Sequence, residues 1–196
     1  MDDRLMVLWL FFAQGIMGAF DTLYYHEWKA RLPALGPVAH AELKLHGIRS
    51  IIYALLFAYL PWLRPEGAAA LMIMVLIFLE IGITLADFVV EDKARSSIGG
   101  VYAGERVSHG IMAIIYGAVL AHLLPVLWLD AQQPTAVSWQ PIAAPQWLSG
   151  VFVLMAIGVF LSGVRDLLAT LGIPMAHWPW PPMNGTQQPE PDGELP

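Results

Sequence analysis

Cysteine is absent from the 196 residues, which excludes disulfides, thiolate zinc sites, iron–sulfur clusters and a cysteine nucleophile. Any metal must then be held by nitrogen and oxygen. Charge is scarce as well: 13% of residues are Asp, Glu, Lys or Arg against 57% hydrophobic, with a mean hydropathy of +0.58. That balance lies outside the make-up of a water-soluble domain. Cations are the rarer sign, 10 against 16 acids, for a formal charge of −6, so no basic surface invites nucleic acid. No dinucleotide fingerprint, P-loop, nucleophile elbow or zincin helix is present. A small integral membrane protein is what these absences leave.

Crossing a bilayer core takes about 20 mostly apolar helical residues. Five stretches qualify: roughly 5–25, 44–63, 68–90, 106–129 and 147–171. The expected fold is therefore all-α, an integral membrane bundle of five transmembrane helices over residues 1–171. Residues 172–196, rich in Pro and polar side chains, are expected to form a disordered cytoplasmic tail, with the run at 177–182 touching the interface. Met-Asp-Asp-Arg precedes the first stretch and no small-residue cleavage site follows it, so it reads as a retained helix.

Orientation follows from the cations. Side A is the face where helices 1, 3 and 5 end and helices 2 and 4 begin. Lys29, Arg31, Lys44, Arg49, Lys93, Arg95, Arg106 and Arg165 fall there, while Arg4 and Arg64 fall on side B. The positive-inside rule makes side A cytoplasmic, with the N-terminus outside and the C-terminus inside, as in a multi-pass protein of a bacterial-type inner membrane.

Ionisable groups within membrane helices cost a few kcal/mol or more each, about 2.5–3.5 on insertion scales, so their placement carries information. They gather at side A: Asp21, His26 and Glu27 on helix 1; His40, Glu42 and His46 on helix 2; Asp87, Glu91 and Asp92 on helix 3; Glu105 and His109 on helix 4; Arg165 and Asp166 on helix 5. Glu42 and His46, Asp87 and Glu91, and Glu105 and His109 are each four apart, which puts both members of a pair on one helix face. Those six are the expected core metal ligands, with Asp21, His26, Glu27 and His40 as possible additions. Together they supply enough donors for two ions.

Carboxylates and imidazoles without sulfur suit iron first, then manganese or zinc. In ligand pattern the set resembles the non-haem di-iron carboxylate proteins, including membrane-bound members such as the alternative oxidases. Those carry Glu-x-x-His, whereas this chain has Glu-x-x-x-His at 42–46 and 105–109, so no ligand carries over by motif. The resemblance implies an oxidoreductase acting on a lipid, quinone or other apolar substrate at the cytoplasmic leaflet, with electrons from a separate donor. Zinc-pair hydrolysis is chemically open to the same ligands.

Two other readings compete. The side-A acids and cations can balance as an ion-pair network, which would suit a proton-coupled transport component or a structural subunit of a membrane complex. Against a purely ionic account, most cations lie in loops or the outermost turn, where they can snorkel to water. Glu80, seven residues deeper than Asp87, is read first as hydrogen-bonded structure, for example with Gln14, then as a proton relay, then as a ligand. Asp92 is read as a cap or a partner of Lys93 or Arg95, His122 and His177 as outside the site, and Gly15 and Gly18 as a close-packing surface.

Overall fold

The computed structural model describes residues 2–180. Five long helices run antiparallel in sequence: α1 (Asp3–Phe20), α2 (His40–Tyr59), α3 (Ala68–Ala94), α4 (Ala103–Ala131) and α5 (Gln146–Thr170). The described fold is thus helical, as the hydropathy pattern requires. α2 packs against α5 and α3, α4 packs against α3 and α1, and a lighter α1–α5 contact completes the bundle. Phe11, Phe57 and Phe152 meet edge to face at its centre, with Tyr53 and Tyr116 alongside Phe11.

Four segments are long and apolar enough to cross a membrane: Asp3–Ala34, Ala68–Ala94, Ala103–Ala131 and Gln146–Thr170. α2 differs because Glu42, Lys44 and Arg49 lie within its 20 residues. Its Glu42, His46, Ser50, Leu56 and Phe57 are buried instead. The outward faces are greasy: Val89 is 78% exposed, Ile114 76% and Leu154 69%. Buried acids at the helix ends together with exposed aliphatics are consistent with a lipid bilayer environment.

At side B two short strands add a feature that hydropathy did not indicate. β1 (Leu63–Glu66) pairs antiparallel with β2 (Ala136–Trp139), with Leu63 opposite Trp139 and Glu66 opposite Ala136. This ribbon ties the α2–α3 turn to the α4–α5 loop. Beneath it, buried Asp130 accepts from Arg64 at 2.6 and 3.0 Å and from Arg4 at 2.5 Å. The two side-B cations are thus satisfied by one acid.

Residues 172–180 correct the expectation of a tail beginning at 172. Pro174–His177 forms a 3-10 turn, His177 is buried with Nδ1 against the Pro33 carbonyl, and Arg31 lies over the Trp180 ring at 4.2 Å. The rest of the expected tail, 181–196, lies outside the described residues.

Close helix approach comes from glycine, although not at both expected positions. A Cβ at Gly15 would meet Met155 Sδ at 2.8 Å, while Gly18 has open space. A reciprocal close approach joins α2 and α5: a Cβ at Gly47 would lie 2.9 Å from the Gly163 carbonyl oxygen, and one at Gly163 would lie 2.8 Å from that of Gly47. Backbone oxygen blocks both, together with Leu167 Cγ and Ser50 Cβ, each at 2.8 Å. Gly163→Val should therefore force α2 from α5 and destabilise the protein by about 1–3 kcal/mol, measured as a lower melting temperature in detergent, whereas Gly18→Ala should leave it unchanged.

Candidate metal centre

The site begins with a change of helix geometry. After Phe20, α1 continues as a π-helical segment, Asp21–Lys29, closed by the Ala30 N–H on the Tyr25 carbonyl at 2.8 Å. Residues five apart lie about 140° apart around an α-helix, but about 50° apart in a π-helix with i→i+5 bonding. Asp21 and His26 therefore share a face, which an α-helical reading of the sequence denied them. That face meets the first turns of α4, where Glu105 and His109 project together.

Four side chains converge there. One donor atom from each of Asp21, His26, Glu105 and His109 lies within 4.8 Å of the others, with the first three buried and His109 half-buried. His26 Nε2 is 3.4 Å from Asp21 Oδ2 and 3.2 Å from Glu105 Oε1, and His109 Nε2 is 3.3 Å from Asp21 Oδ2. Good N–H···O bonds cluster near 2.9 Å. Donors about 2.0–2.2 Å from a tetrahedral ion are separated by about 3.3–3.6 Å. The spacings are compatible with the edges of a coordination polyhedron and equally with a hydrogen-bonded network, in which His109 Nε2 already pairs with Asp21 Oδ2.

Surrounding groups hold the four in place. Ser108 Oγ donates to Asp21 Oδ1 at 2.5 Å, and Phe88 stacks on the His109 ring at 5.3 Å. Glu91 approaches from α3, its Oε2 3.9 Å from His109 Nδ1. Glu105 Oε2 and His26 Nδ1 are buried without a hydrogen-bond partner among the described residues.

Arg95 is the component whose role the sequence misled. Expected to reach water from a loop, it is instead completely buried. Nε and Nη2 donate to Glu42 Oε1 at 2.9 and 2.5 Å, Nη1 donates to Glu105 Oε1 at 2.5 Å, and Nη2 lies 3.2 Å from His26 Nε2. Burial works against its charge, but hydrogen bonding and attraction from Glu42, reinforced by Glu105, hold the guanidinium above its ordinary pKa. Where Arg95 Nη2 donates to His26, the ring accepts at Nε2 and carries its hydrogen on Nδ1, a buried atom with no hydrogen-bond partner among the described residues. A metal requires the same tautomer, with the Nε2 lone pair exposed. An ion at Nε2 would displace the Arg95 contact there.

The other expected ligands have separate partners. Glu42 faces Arg95; Asp87 Oδ2 lies 3.2 Å from Arg49; His46 Nδ1 is 2.8 Å from Asp166 Oδ2, with its ring 4.5 Å from that of His26. Glu27 forms a two-pronged pair with Arg165 at 2.6 and 2.9 Å, and Asp92 meets Arg106 at the surface at 3.4 Å rather than Lys93 or Arg95. His40 is half-buried at the start of α2. His122 pairs with exposed Asp3 near side B.

Charge balance inside the bundle is uneven. Among the described residues, Asp21, Glu42, Asp87, Glu91, Glu105 and Asp166 are buried at side A, with Arg95 and the mostly covered Arg49 as their guanidinium partners. The near-equality of acids and cations counted along the sequence does not survive burial, because Lys44, Lys93 and Arg106 point outward. An additional positive charge, from an ion or protonated imidazoles, is electrostatically favoured there.

Scans against protein-family models, curated proteins and solved structures find no match to this chain. The class defined by fold and site is thus a helical protein with four membrane-competent segments and a buried carboxylate–histidine cluster.

Removing Arg95 would strand two buried carboxylates. Arg95→Gln should cost about 3–5 kcal/mol, the range for breaking one side of a buried ion pair. The check is thermal unfolding in detergent. A melting temperature equal to the parent's would show that Glu42 and Glu105 are not charged partners of this arginine.

Proposed function

We propose that this chain is a five-span membrane metalloprotein and functions as a non-haem metal-dependent oxidoreductase on an apolar substrate. The observation that carries the metal reading is the convergence of Asp21, His26, Glu105 and His109, with donor atoms mutually within 4.8 Å. Two imidazoles and two carboxylates without sulfur suit iron, manganese or zinc. The spacing favours one ion at these four groups. A second would have to draw on Glu42, Asp87 or Glu91, the first two of which already face arginines.

All five helices cross the bilayer in this reading, α2 included. Its 20 residues extend about 30 Å, enough to span the core. Side A faces the cytoplasm of a bacterial-type inner membrane because that is where the cations collect, and the N-terminus is outside. Exposed Phe20, Leu23 and Tyr24 near the Asp21 end of the cluster, and Val107 beside it on α4, offer an apolar approach for a lipid or quinone-like molecule.

The chain's own residues divide the work. Asp21, His26, Glu105 and His109 bind the ion; Arg95 orients Glu105 through Oε1 and leaves Oε2 available; Ser108 fixes Asp21. A bound redox-active ion would supply the electron-transfer and oxygen-activating chemistry that amino-acid side chains lack. Glu91, with Oε2 3.9 Å from His109 Nδ1, stands beside these ligands as a group able to hold a proton. Electrons come from a separate donor.

A second reading, an ion-pair or proton-handling network in a transport or assembly subunit, is favoured by one observation: Arg95 already occupies part of the cluster. Elemental analysis of protein purified from membranes without chelator separates the two. Under the metal reading it should give about one first-row ion per chain. His26→Ala and Glu105→Gln should each lose most of it, and verified removal of the ion should lower the melting temperature as the ligands regain mutual repulsion. Metal-free parent protein that stays folded overturns the metal reading. Retention of iron without turnover of quinone or lipid substrates in the presence of a reductant and dioxygen overturns the oxidoreductase assignment alone.

A further inference from the structure

Four helices each send one polar side chain to the middle of the bundle. Glu80 sits near the centre of α3 and is only 2% exposed. Tyr53 of α2 and Tyr116 of α4 bring their phenols toward it, and Tyr53 also meets Gln14 of α1. Packing explains the convergence. Gln14 lies three residues after Phe11 and so on the same face of α1. The Tyr53 and Tyr116 rings both stand edge to face on Phe11, with their own centroids 6.2 Å apart.

The oxygens gathered there do not satisfy one another. Glu80 Oε1 accepts from Thr84 Oγ1 at 2.7 Å. Glu80 Oε2, Gln14 Oε1 and Tyr116 Oη, from three different helices, are buried without a hydrogen bond among the described residues. Buried polar atoms are nearly always paired, and those that are not call for a water or an ion. An amide oxygen and a carboxylate only accept, so what joins them must bring hydrogen or positive charge. Arg49 is the guanidinium whose charge bears on Glu80, yet its ion pair is with Asp87 at 3.2 Å. A carboxylate without a partner of its own is costly in an apolar span, and a cation on its free oxygen removes that cost.

We infer that Gln14, Tyr53, Glu80 and Tyr116 form an oxygen-lined site for one alkali-metal cation at the middle of the bundle. Donors that are all oxygen, with neither imidazole nor sulfur among them, suit a hard ion. The single carboxylate sets the charge. A monovalent ion brings the site to neutrality, whereas a divalent one leaves net positive charge in apolar surroundings. Glu80 supplies the anionic oxygen, Gln14 the amide carbonyl, and the two phenols their lone pairs. Thr84 holds the other carboxylate oxygen and so fixes the direction of Oε2. Because the four donors come from α1, α2, α3 and α4, an ion bound among them draws those helices together. None of them belongs to the Asp21, His26, Glu105 and His109 cluster, and the site stands whether or not that cluster binds metal.

The test is equilibrium binding of radiolabelled sodium to the full chain in lipid nanodiscs, with choline chloride as the supporting salt. The parent should bind about one ion per chain saturably, and unlabelled sodium, but not further choline, should displace the label. Glu80→Gln should abolish this binding. Gln14→Leu and Tyr116→Phe should each weaken it by about tenfold, as expected when one oxygen contact is lost. Tyr116→Phe removes a single oxygen and keeps the ring on Phe11, so it reports on the site even where Glu80→Gln fails to fold. Absence of saturable binding by folded parent protein overturns the site. Binding as tight in Tyr116→Phe and Gln14→Leu as in the parent puts the ion elsewhere and overturns it equally.

Discussion

The structure depends on placing a permanent positive charge inside the bundle. Arg95 links the end of α3 to Glu42 at the start of α2 and Glu105 at the start of α4, and no solvent reaches any of the three. Without it, two carboxylates would be buried together at the same end of the molecule. Leaving them without that partner would be strongly destabilising. With it, three helix ends are fixed relative to one another. The cluster then lies where those ends meet the π-helical continuation of α1.

The π segment and Arg95 act on the same side chain from different directions. One rotates His26 onto the face of Asp21; the other sets a guanidinium 3.2 Å from His26 Nε2. A cation at that nitrogen would compete with an arginine that also holds α2, α3 and α4 together. The side-B end is arranged differently: its one buried acid, Asp130, meets two arginines and anchors the ribbon. Among the described residues, buried acids that outnumber their guanidinium partners lie at side A.

Much of this was legible along the chain. Long apolar runs gave the helices, and the distribution of polar residues gave the end at which they collect, because neither depends on long-range packing. Of the three i,i+4 pairs, Glu105 with His109 enters the cluster. Asp21 and His26, five apart, looked like peripheral additions, since only a π-helical turn aligns them. Arg95 looked like a snorkelling loop cation because nothing local marks a side chain that folds back under its own helix. The ordering of 172–180 was likewise hidden, as it rests on contacts with residues about 140 positions earlier, such as His177 with Pro33.

The sequence by itself determined that the chain is helical, apolar outside and acidic at one end, because hydropathy and helical periodicity are properties of neighbouring residues. Which acids face an arginine and which face a histidine was decided only by tertiary structure. That choice depends on helix rotation and on a change from α to π winding, where a shift of some 90° exchanges one partner for another.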